Sequence, residues 1–272
     1  DYNKLYAEWH EKDLLALVRR DRDHPSVIIW SIGNEVHEQQ DVKMTKHLAD
    51  IMRSADPTLP VSNGYNSPDP GRASGAVQGL DLMGVNYFFS NQDKWDQDPR
   101  YANMPTIGSE TSSCVSTRGE YFFGTNRQNW QISSYDQDRP GWGCTPDQQF
   151  KWLAQWPHLL GEYVWTGFDY LGEPTPYQSD ETNLLNFRND PAKRAEMERE
   201  LQKMWETKPP SRSSYFGIID LAGFPKDRYY SYQAQWRPEL PMAHILPHWN
   251  WPDRVGQNVP VHHFCLRGVE IT

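Results

Sequence analysis

Two glutamates, Glu35 and Glu110, are the residues whose type and position are best suited to chemistry. Each lies at the end of a short apolar run of the kind that forms a buried strand in a parallel sheet. The carboxyl ends of parallel strands meet at one edge, so both side chains are expected to face one pocket. Two facing carboxyl groups suit glycoside hydrolysis, in which one protonates the leaving oxygen and the other attacks the anomeric carbon or activates water. One glutamate alone at a strand end is more often a helix cap or a surface residue, so the pair carries this hypothesis.

Helices and strands alternate along most of the chain. Helices are predicted where apolar residues recur at helical spacing before a proline, and strands where short apolar runs follow. The predicted helices are Tyr6–Arg22, Val42–Ala55 and Pro146–Leu160, and the predicted strands are Ser26–Ile32, Leu59–Ser62, Leu80–Tyr87, Thr106–Gly108 and Tyr163–Phe168. Such alternation predicts an α/β fold with a parallel sheet.

Two architectures fit this class, an open doubly wound sheet and a (β/α)8 TIM barrel. No predicted strand is followed by a glycine-rich phosphate loop of the GxGxxG or GxxxxGK type. Several strands end instead in a carboxylate or amide side chain, which is how a barrel builds its site. The sequence therefore favours a TIM barrel, of which the five predicted strands are only a part.

The later part of the chain predicts a charged helix Pro191–Trp205, an extended segment Ser214–Leu221 and a helix Asp227–Trp236. Residues 180–210 are interpreted as an insertion that could wall the pocket entrance. A domain boundary is predicted near Pro241, which separates residues 1–240 from a second region, 241–272, that ends in a β-like stretch.

Composition excludes several classes of protein. The chain has 272 residues with 27 Lys and Arg against 36 Asp and Glu, and the net charge of −9 argues against nucleic acid and anionic membranes as partners. The three cysteines are too few and too far apart for a disulfide framework or a cysteine zinc site. No apolar run is long enough to span a membrane, and the polar start is not a signal peptide. HExxH and GxSxG motifs are absent from the sequence, which argues against a zinc hydrolase or a serine hydrolase.

Three motifs give a more specific indication: Trp-Ser-Ile-Gly-Asn-Glu at 30–35, Gly-Ser-Glu at 108–110, and Val-Trp-Thr-Gly-Phe-Asp-Tyr-Leu-Gly-Glu-Pro-Thr-Pro at 164–176. With these motifs the chain resembles the family 2 glycoside hydrolases, particularly their β-galactosidase branch. The resemblance covers about residues 4–240, and the stretch from Pro247 resembles the start of the β-sandwich module that follows the barrel in that family.

The resemblance implies that this chain holds barrel strands 4 to 8, with the first three strands and the upstream sugar-binding and immunoglobulin-like domains outside the sequence. It implies a retaining mechanism with Glu35 as the acid/base and Glu110 as the nucleophile. Tyr87 would donate a hydrogen bond to Glu110, and a core tyrosine is the equally weighted alternative. Asn34 would donate to the sugar 2-hydroxyl. The alternative is that Asn34 only stabilises the turn after Gly33.

Further sugar contacts are predicted on the last barrel strand and in the loops. Trp165 would stack on the apolar face of a pyranose and form the floor of the first subsite. Asp169 and Glu173 would bind sugar hydroxyls, although structural ion pairing explains two carboxylates equally well. The loop tryptophans are candidates for additional sugar platforms: Trp95, Trp130 and Trp142.

The resemblance implies an enzyme that needs no organic cofactor and acts on an oligosaccharide or polysaccharide with a terminal β-galactoside. A cation beside the acid/base is left open, because His37 and Glu38 follow Glu35. Galactose specificity is less secure than glycosidase activity, because Ser113 stands where the best-known β-galactosidase has a histidine that touches the sugar. A β-glucuronidase, a β-mannosidase and a non-catalytic carbohydrate-binding fragment therefore stay as alternatives. The family favours a periplasmic or extracellular location, and a homo-oligomer stays open.

Overall fold

The computed structural model describes residues 2–87, 89–121, 132–172, 187–207 and 213–265. The chain divides into two compact units, Asp1–Thr111 with Lys151–Val164, and Ser112–Phe150 with Trp165–Thr272. The strands are β1 Trp30–Asn34, β2 Val61–Tyr65, β3 Met83–Asn86, β4 Thr106–Ser112, β5 Leu159–Trp165, β6 Ala243–Leu246 and β7 His262–Cys265. The α-helices are α1 Tyr6–Asp21, α2 Val42–Ala55, α3 Pro68–Ser74, α4 Gln92–Asp96, α5 Pro146–Gln155, α6 Pro191–Thr207 and α7 Asp227–Trp236.

The first five strands form one sheet in which spatial order equals chain order, β1-β2-β3-β4-β5. The pairs β1–β2, β2–β3 and β3–β4 are parallel, and helices lie between consecutive strands. A parallel sheet that never reverses its order is the arrangement of one side of a (β/α)8 barrel. The predicted fold class, part of a TIM barrel, is confirmed.

The core of the first unit explains why these segments form strands and helices. All residues of β2 and β3 are buried, as expected for strands covered on both faces. Helix α2 begins where the Asp41 side chain accepts a hydrogen bond of 2.9 Å from the Met44 N–H, and it packs Ala49 and Met52 into the core. The largest buried side chains of this core include Trp30, Met52, Tyr65, Met83, Phe89 and Trp95.

Four strands begin at other residues than the sequence predicts. β2 begins at Val61 rather than Leu59 and β3 at Met83 rather than Leu80, and the larger differences are in β1 and β5. β1 begins at Trp30 rather than Ser26, because its ladder starts with the Trp30 N–H on the Pro60 carbonyl, and Ile28 before it is 55% exposed. β5 begins at Leu159 rather than Tyr163. Helix α5 ends at Gln155 and not at Leu160, because Pro157 disfavours helical geometry in the residue before it.

The second unit has a small apolar cluster and a buried group of charges. Val115, Ile132 and Phe216 form the apolar cluster, and β6 pairs antiparallel with β7. In the predicted extended segment Ser214–Leu221, Ile219 forms isolated bridges to Phe168 and Pro225, and the segment contains no strand. The β-sandwich module and the boundary near Pro241 stay predictions, and the predicted insertion 180–210 lies partly outside the described residues.

Four charged side chains of the second unit, Asp136, Asp169, Lys226 and Arg228, are here called the ionic cluster. Lys226 Nζ lies 2.6 Å from Asp169 Oδ2, and Arg228 Nε lies 3.0 Å from Asp136 Oδ1. Both cations are 1% exposed and also donate to backbone carbonyls. Desolvation lowers the pKa of Lys226 to about 8 and raises the pKa of Asp136 above its usual range.

Across the described ranges, no helix is long and apolar enough to cross a bilayer.

Candidate active site

The predicted catalytic residues of the first unit lie at the carboxyl edge of its parallel sheet. Asn34 is the last residue of β1 and Glu35 follows it, Tyr87 follows β3, and Glu110 lies near the end of β4. The register pairs Asn34 with Gly64 and Asn86 with Glu110. The structure thus brings four of the predicted site residues to one edge of one sheet.

Two of these residues leave their strands in a backbone conformation that is rare outside glycine. Glu35 has a φ of 50° and Tyr87 a φ of 68°. Such left-handed geometry costs on the order of 1–3 kcal/mol per residue, so the surroundings must hold it. The Glu35 N–H donates to the Gly64 carbonyl and the Tyr87 N–H to the Glu110 carbonyl, each at 3.0 Å. Strain of this kind clusters at functional sites, which supports a role for this edge.

Glu110 accepts a hydrogen bond from the Tyr87 hydroxyl. Both side chains are partly exposed. A donor to the carboxylate stabilises its ionised form, which is the form that can attack an electrophile. The geometry therefore agrees with the contact that the sequence analysis predicted for Tyr87, and it fixes the orientation of the Glu110 carboxyl group.

Glu35 is held by a residue that the sequence analysis did not single out, Asn86. The Asn86 Nδ2 atom donates to Glu35 Oε1 at 2.8 Å and to Asn34 Oδ1 at 3.0 Å. The Asn86 Oδ1 atom accepts a hydrogen bond of 2.6 Å from Ser109 Oγ. Asn86 is fully buried, whereas Asn34 and Glu35 are exposed.

Asn34, Glu35, Asn86, Tyr87, Ser109 and Glu110 are here called the sheet-edge cluster. Two of its members, Asn86 and Ser109, were missed by sequence reasoning. A signal for Asn86 was available, because a buried amide ends the otherwise apolar strand Met-Gly-Val-Asn. No such signal marks Ser109, whose contact depends on the register between β3 and β4.

Two glycines leave room for this cluster. A Cβ atom on Gly64 would collide with Asn34 Oδ1, and one on Gly84 would lie 2.6 Å from Ser109 Oγ. Both positions lie in the fully buried strands β2 and β3. Glycine is needed at these two positions because neighbouring side chains approach the backbone too closely to leave room for a Cβ atom.

Two of the predicted sugar-binding residues of the second unit, Trp165 and Asp169, have protein partners. Trp165 packs edge-to-face on Tyr170 with ring centroids 5.8 Å apart. Asp169 pairs with Lys226 through Oδ2, and its Oδ1 accepts from the Gly217 N–H at 2.7 Å and from Ser214 Oγ at 3.3 Å. The pair with Lys226 is the structural ion pairing that the sequence analysis gave as the alternative to sugar binding for Asp169. Sugar contacts of Trp165 and Asp169 stay predictions.

The loop tryptophans differ in their surroundings. Trp95 is 2% exposed and donates to Asp69 at 2.8 Å, so its prediction as a sugar platform was wrong, because it belongs to the core around helix α4. Trp142 is 48% exposed. Trp130 and the candidate Glu173 lie outside the described residues.

His37 and Glu38, the residues for which the sequence left a cation open, are exposed. In the described part of the chain no group of three or more His, Cys, Asp or Glu side chains could hold a metal ion.

Comparisons with known proteins show the family of this chain. Residues 3–111 match the family model for the TIM barrel domain of family 2 glycosyl hydrolases. The chain is 35% identical to the β-galactosidase BoGH2A of Bacteroides ovatus over 92% of its own length and 31% of that protein. It is 29% identical to a β-glucuronidase of Paenibacillus borealis over 59% of its length and 28% of that protein.

A solved structure supports the fold. The crystal structure of a family 2 glycosyl hydrolase from Bacteroides cellulosilyticus superposes on 97% of this chain and 29% of that one, with a TM-score of 0.62 and 21% identity. The chain spans about a third of the length of the curated relatives it matches.

Proposed function

This chain belongs to the glycosyl hydrolases of family 2, and on that premise we propose that it carries the two catalytic carboxyl groups of a retaining exo-β-glycosidase. Glu35 is the acid/base and Glu110 is the nucleophile. The observation that carries the proposal is that both glutamates lie at the carboxyl edge of one sheet, where each accepts a hydrogen bond from a neutral side chain.

The reaction proceeds by double displacement. The Glu110 carboxylate attacks the anomeric carbon while the Glu35 carboxyl group protonates the departing glycosidic oxygen, so the glycosidic bond breaks and a covalent glycosyl-enzyme forms. Glu35, now ionised, takes a proton from water, and that water attacks the anomeric carbon and releases Glu110. Retention requires that the two carboxyl groups lie roughly 5 Å apart across the scissile bond.

Hydrogen bonding supports this division of roles. Tyr87 stabilises the ionised form of Glu110, which a nucleophile needs. Glu35 accepts its hydrogen bond from the neutral Asn86 amide, and within the described residues it forms no ion pair. The Nδ2 group of Asn34 is left to donate to the sugar 2-hydroxyl, because its Oδ1 atom is already engaged by Asn86.

The proposed substrate is a terminal β-galactoside, since the chain is 35% identical to a β-galactosidase. A β-glucuronidase is the second candidate, favoured by similarity to an enzyme of that name. Hydrolysis of 4-nitrophenyl β-D-galactoside, glucuronide and mannoside by the full-length protein distinguishes them. We expect the galactoside to have the highest kcat/KM, and a preference for the glucuronide would overturn the galactosidase assignment.

The mechanism has its own test. NMR of the first product from an aryl β-glycoside should show the β-anomer of the free sugar, and initial release of the α-anomer would exclude retention. Glu110→Ala should abolish hydrolysis, and added azide should restore turnover with an α-glycosyl azide as the product. Unchanged hydrolysis in that variant would exclude Glu110 as the nucleophile.

A further inference from the structure

Asn86 makes contacts on both sides of the proposed reaction centre. Its side chain donates to Glu35 and Asn34 at the end of β1 and accepts from Ser109, the neighbour of Glu110 on β4. Its backbone lies opposite Glu110 in the β3–β4 register. It is 0% exposed, so it cannot itself reach a substrate from this position.

The orientation of the Asn86 amide follows from its partners. The Glu35 and Asn34 atoms that it contacts are oxygens that accept hydrogen bonds, so the group facing them must be NH₂. The Ser109 hydroxyl can donate, so the amide oxygen faces Ser109. A flipped amide would set an oxygen against two other acceptors. Both N–H groups and the carbonyl are thus used, which leaves the amide one favourable orientation.

We infer that Asn86 is a positioning residue that fixes the acid/base Glu35 and the sugar-reading Asn34 relative to the strand that carries the nucleophile Glu110. The inference rests on the proposed function. Glu35 is exposed and follows the last residue of its strand, so its carboxyl group needs such an anchor to stay in line with the glycosidic oxygen. Ser109 acts through Asn86 by holding the amide oxygen.

Substrates with different leaving groups isolate this role. Protonation by Glu35 matters when the leaving group is basic, as in a phenyl glycoside, and hardly matters for 2,4-dinitrophenolate. Because kcat/KM reports the steps up to the formation of the glycosyl-enzyme, we expect Asn86→Ala to lower it roughly 100-fold for the phenyl glycoside and less than about tenfold for the dinitrophenyl glycoside. Asn86→Asp, which keeps the shape but loses the donors, should give the same pattern. Ser109→Ala should give it more weakly.

Asn63→Ala is the matched control, because Asn63 is also a buried amide of a neighbouring strand, at 3% exposure, and has no hydrogen bond to Glu35. It should leave the ratio of the two kcat/KM values unchanged. Equal losses on both substrates in Asn86→Ala and Asn86→Asp, with an active wild-type protein, would overturn the positioning of Glu35 by Asn86 and leave the proposed function standing. A wild-type protein that hydrolyses neither substrate, nor any glycoside of the panel, would overturn the proposed function and the inference together.

Discussion

The sheet-edge cluster and the ionic cluster both hold two carboxyl groups, but they satisfy them in different ways. In the ionic cluster Asp136 and Asp169 are paired with buried cations, Arg228 and Lys226. In the sheet-edge cluster Glu35 accepts from an amide and Glu110 from a phenol, and both side chains have access to solvent.

This difference separates a structural from a chemical use of charge. Removing one partner of a buried ion pair is costly because it leaves the other charge buried without compensation, so the folded state depends on both partners. A neutral donor orients a carboxyl group without adding a charge beside it, so in the proposed double displacement Glu35 can give up and regain a proton while Glu110 attacks as a carboxylate. Substitutions in the sheet-edge cluster should therefore change kinetics, and substitutions in the ionic cluster should change stability.

The largest effect is expected for Glu110→Gln. The amide has nearly the shape of the carboxyl group but cannot form the glycosyl-enzyme, so kcat should fall by roughly 10⁴-fold or more. The melting temperature should stay within a few degrees of the wild-type value, because surface and half-exposed polar changes alter stability little. Aryl glycoside kinetics and a thermal melt measure both. A variant that loses stability and keeps its activity would reverse the assignment of the two clusters.

Arg228→Met should have the opposite profile. It leaves Asp136 buried without its cation and removes hydrogen bonds to the Phe216 carbonyl and Ser116, so the free energy of unfolding should fall by about 3–5 kcal/mol. Burial already raises the pKa of Asp136, so the unpaired carboxyl group should bind a proton more tightly in the folded than in the unfolded chain.

The stability deficit of Arg228→Met should therefore grow as the pH rises through the raised pKa of Asp136 and shrink toward acid. Urea unfolding of the wild type and the variant at pH 5 and pH 7 measures it, because both values lie below the Lys226 pKa of about 8. The double variant with Asp136→Asn is the control, since it removes the titrating group and should show the same deficit at both values. A deficit independent of pH in the single variant would contradict this account.

The contrast also shows what sequence could and could not predict. Glu35 and Glu110 could be found because they follow apolar runs. Helix α2 has its predicted bounds because Asp41 before it and Pro57 after it are local start and stop signals, and helix α7 also has its predicted bounds, Asp227–Trp236. The roles of Asn86 and Ser109 depend on strand register, which no local pattern encodes. Likewise the Asp169–Lys226 pair joins residues distant in the chain.

A smaller effect is expected for Asn34→Ala. If Asn34 donates to the sugar 2-hydroxyl, kcat/KM should fall roughly 100-fold on a normal aryl glycoside, because this contact strengthens in the transition state. On the matching 2-deoxy glycoside, which lacks the hydroxyl, the variant and the wild type should differ little. Equal losses on both substrates would indicate that Asn34 acts by packing or by its contact with Asn86 alone.

Gly64→Ala tests whether the sheet-edge cluster depends on the absence of a Cβ atom at position 64. The added methyl group would collide with Asn34 Oδ1. The backbone of Gly64 cannot shift to relieve this collision, because β2 is buried along its whole length. The collision displaces Asn34 without removing it, so the loss of kcat/KM should be about tenfold and no larger than that of Asn34→Ala. It should also vanish on the 2-deoxy glycoside if Asn34 is the only group displaced. A loss that persists there would show that the methyl group also disturbs Asn86, whose Oδ1 atom lies 3.4 Å from the same Cβ position, and would extend the positioning network from β3 to β2.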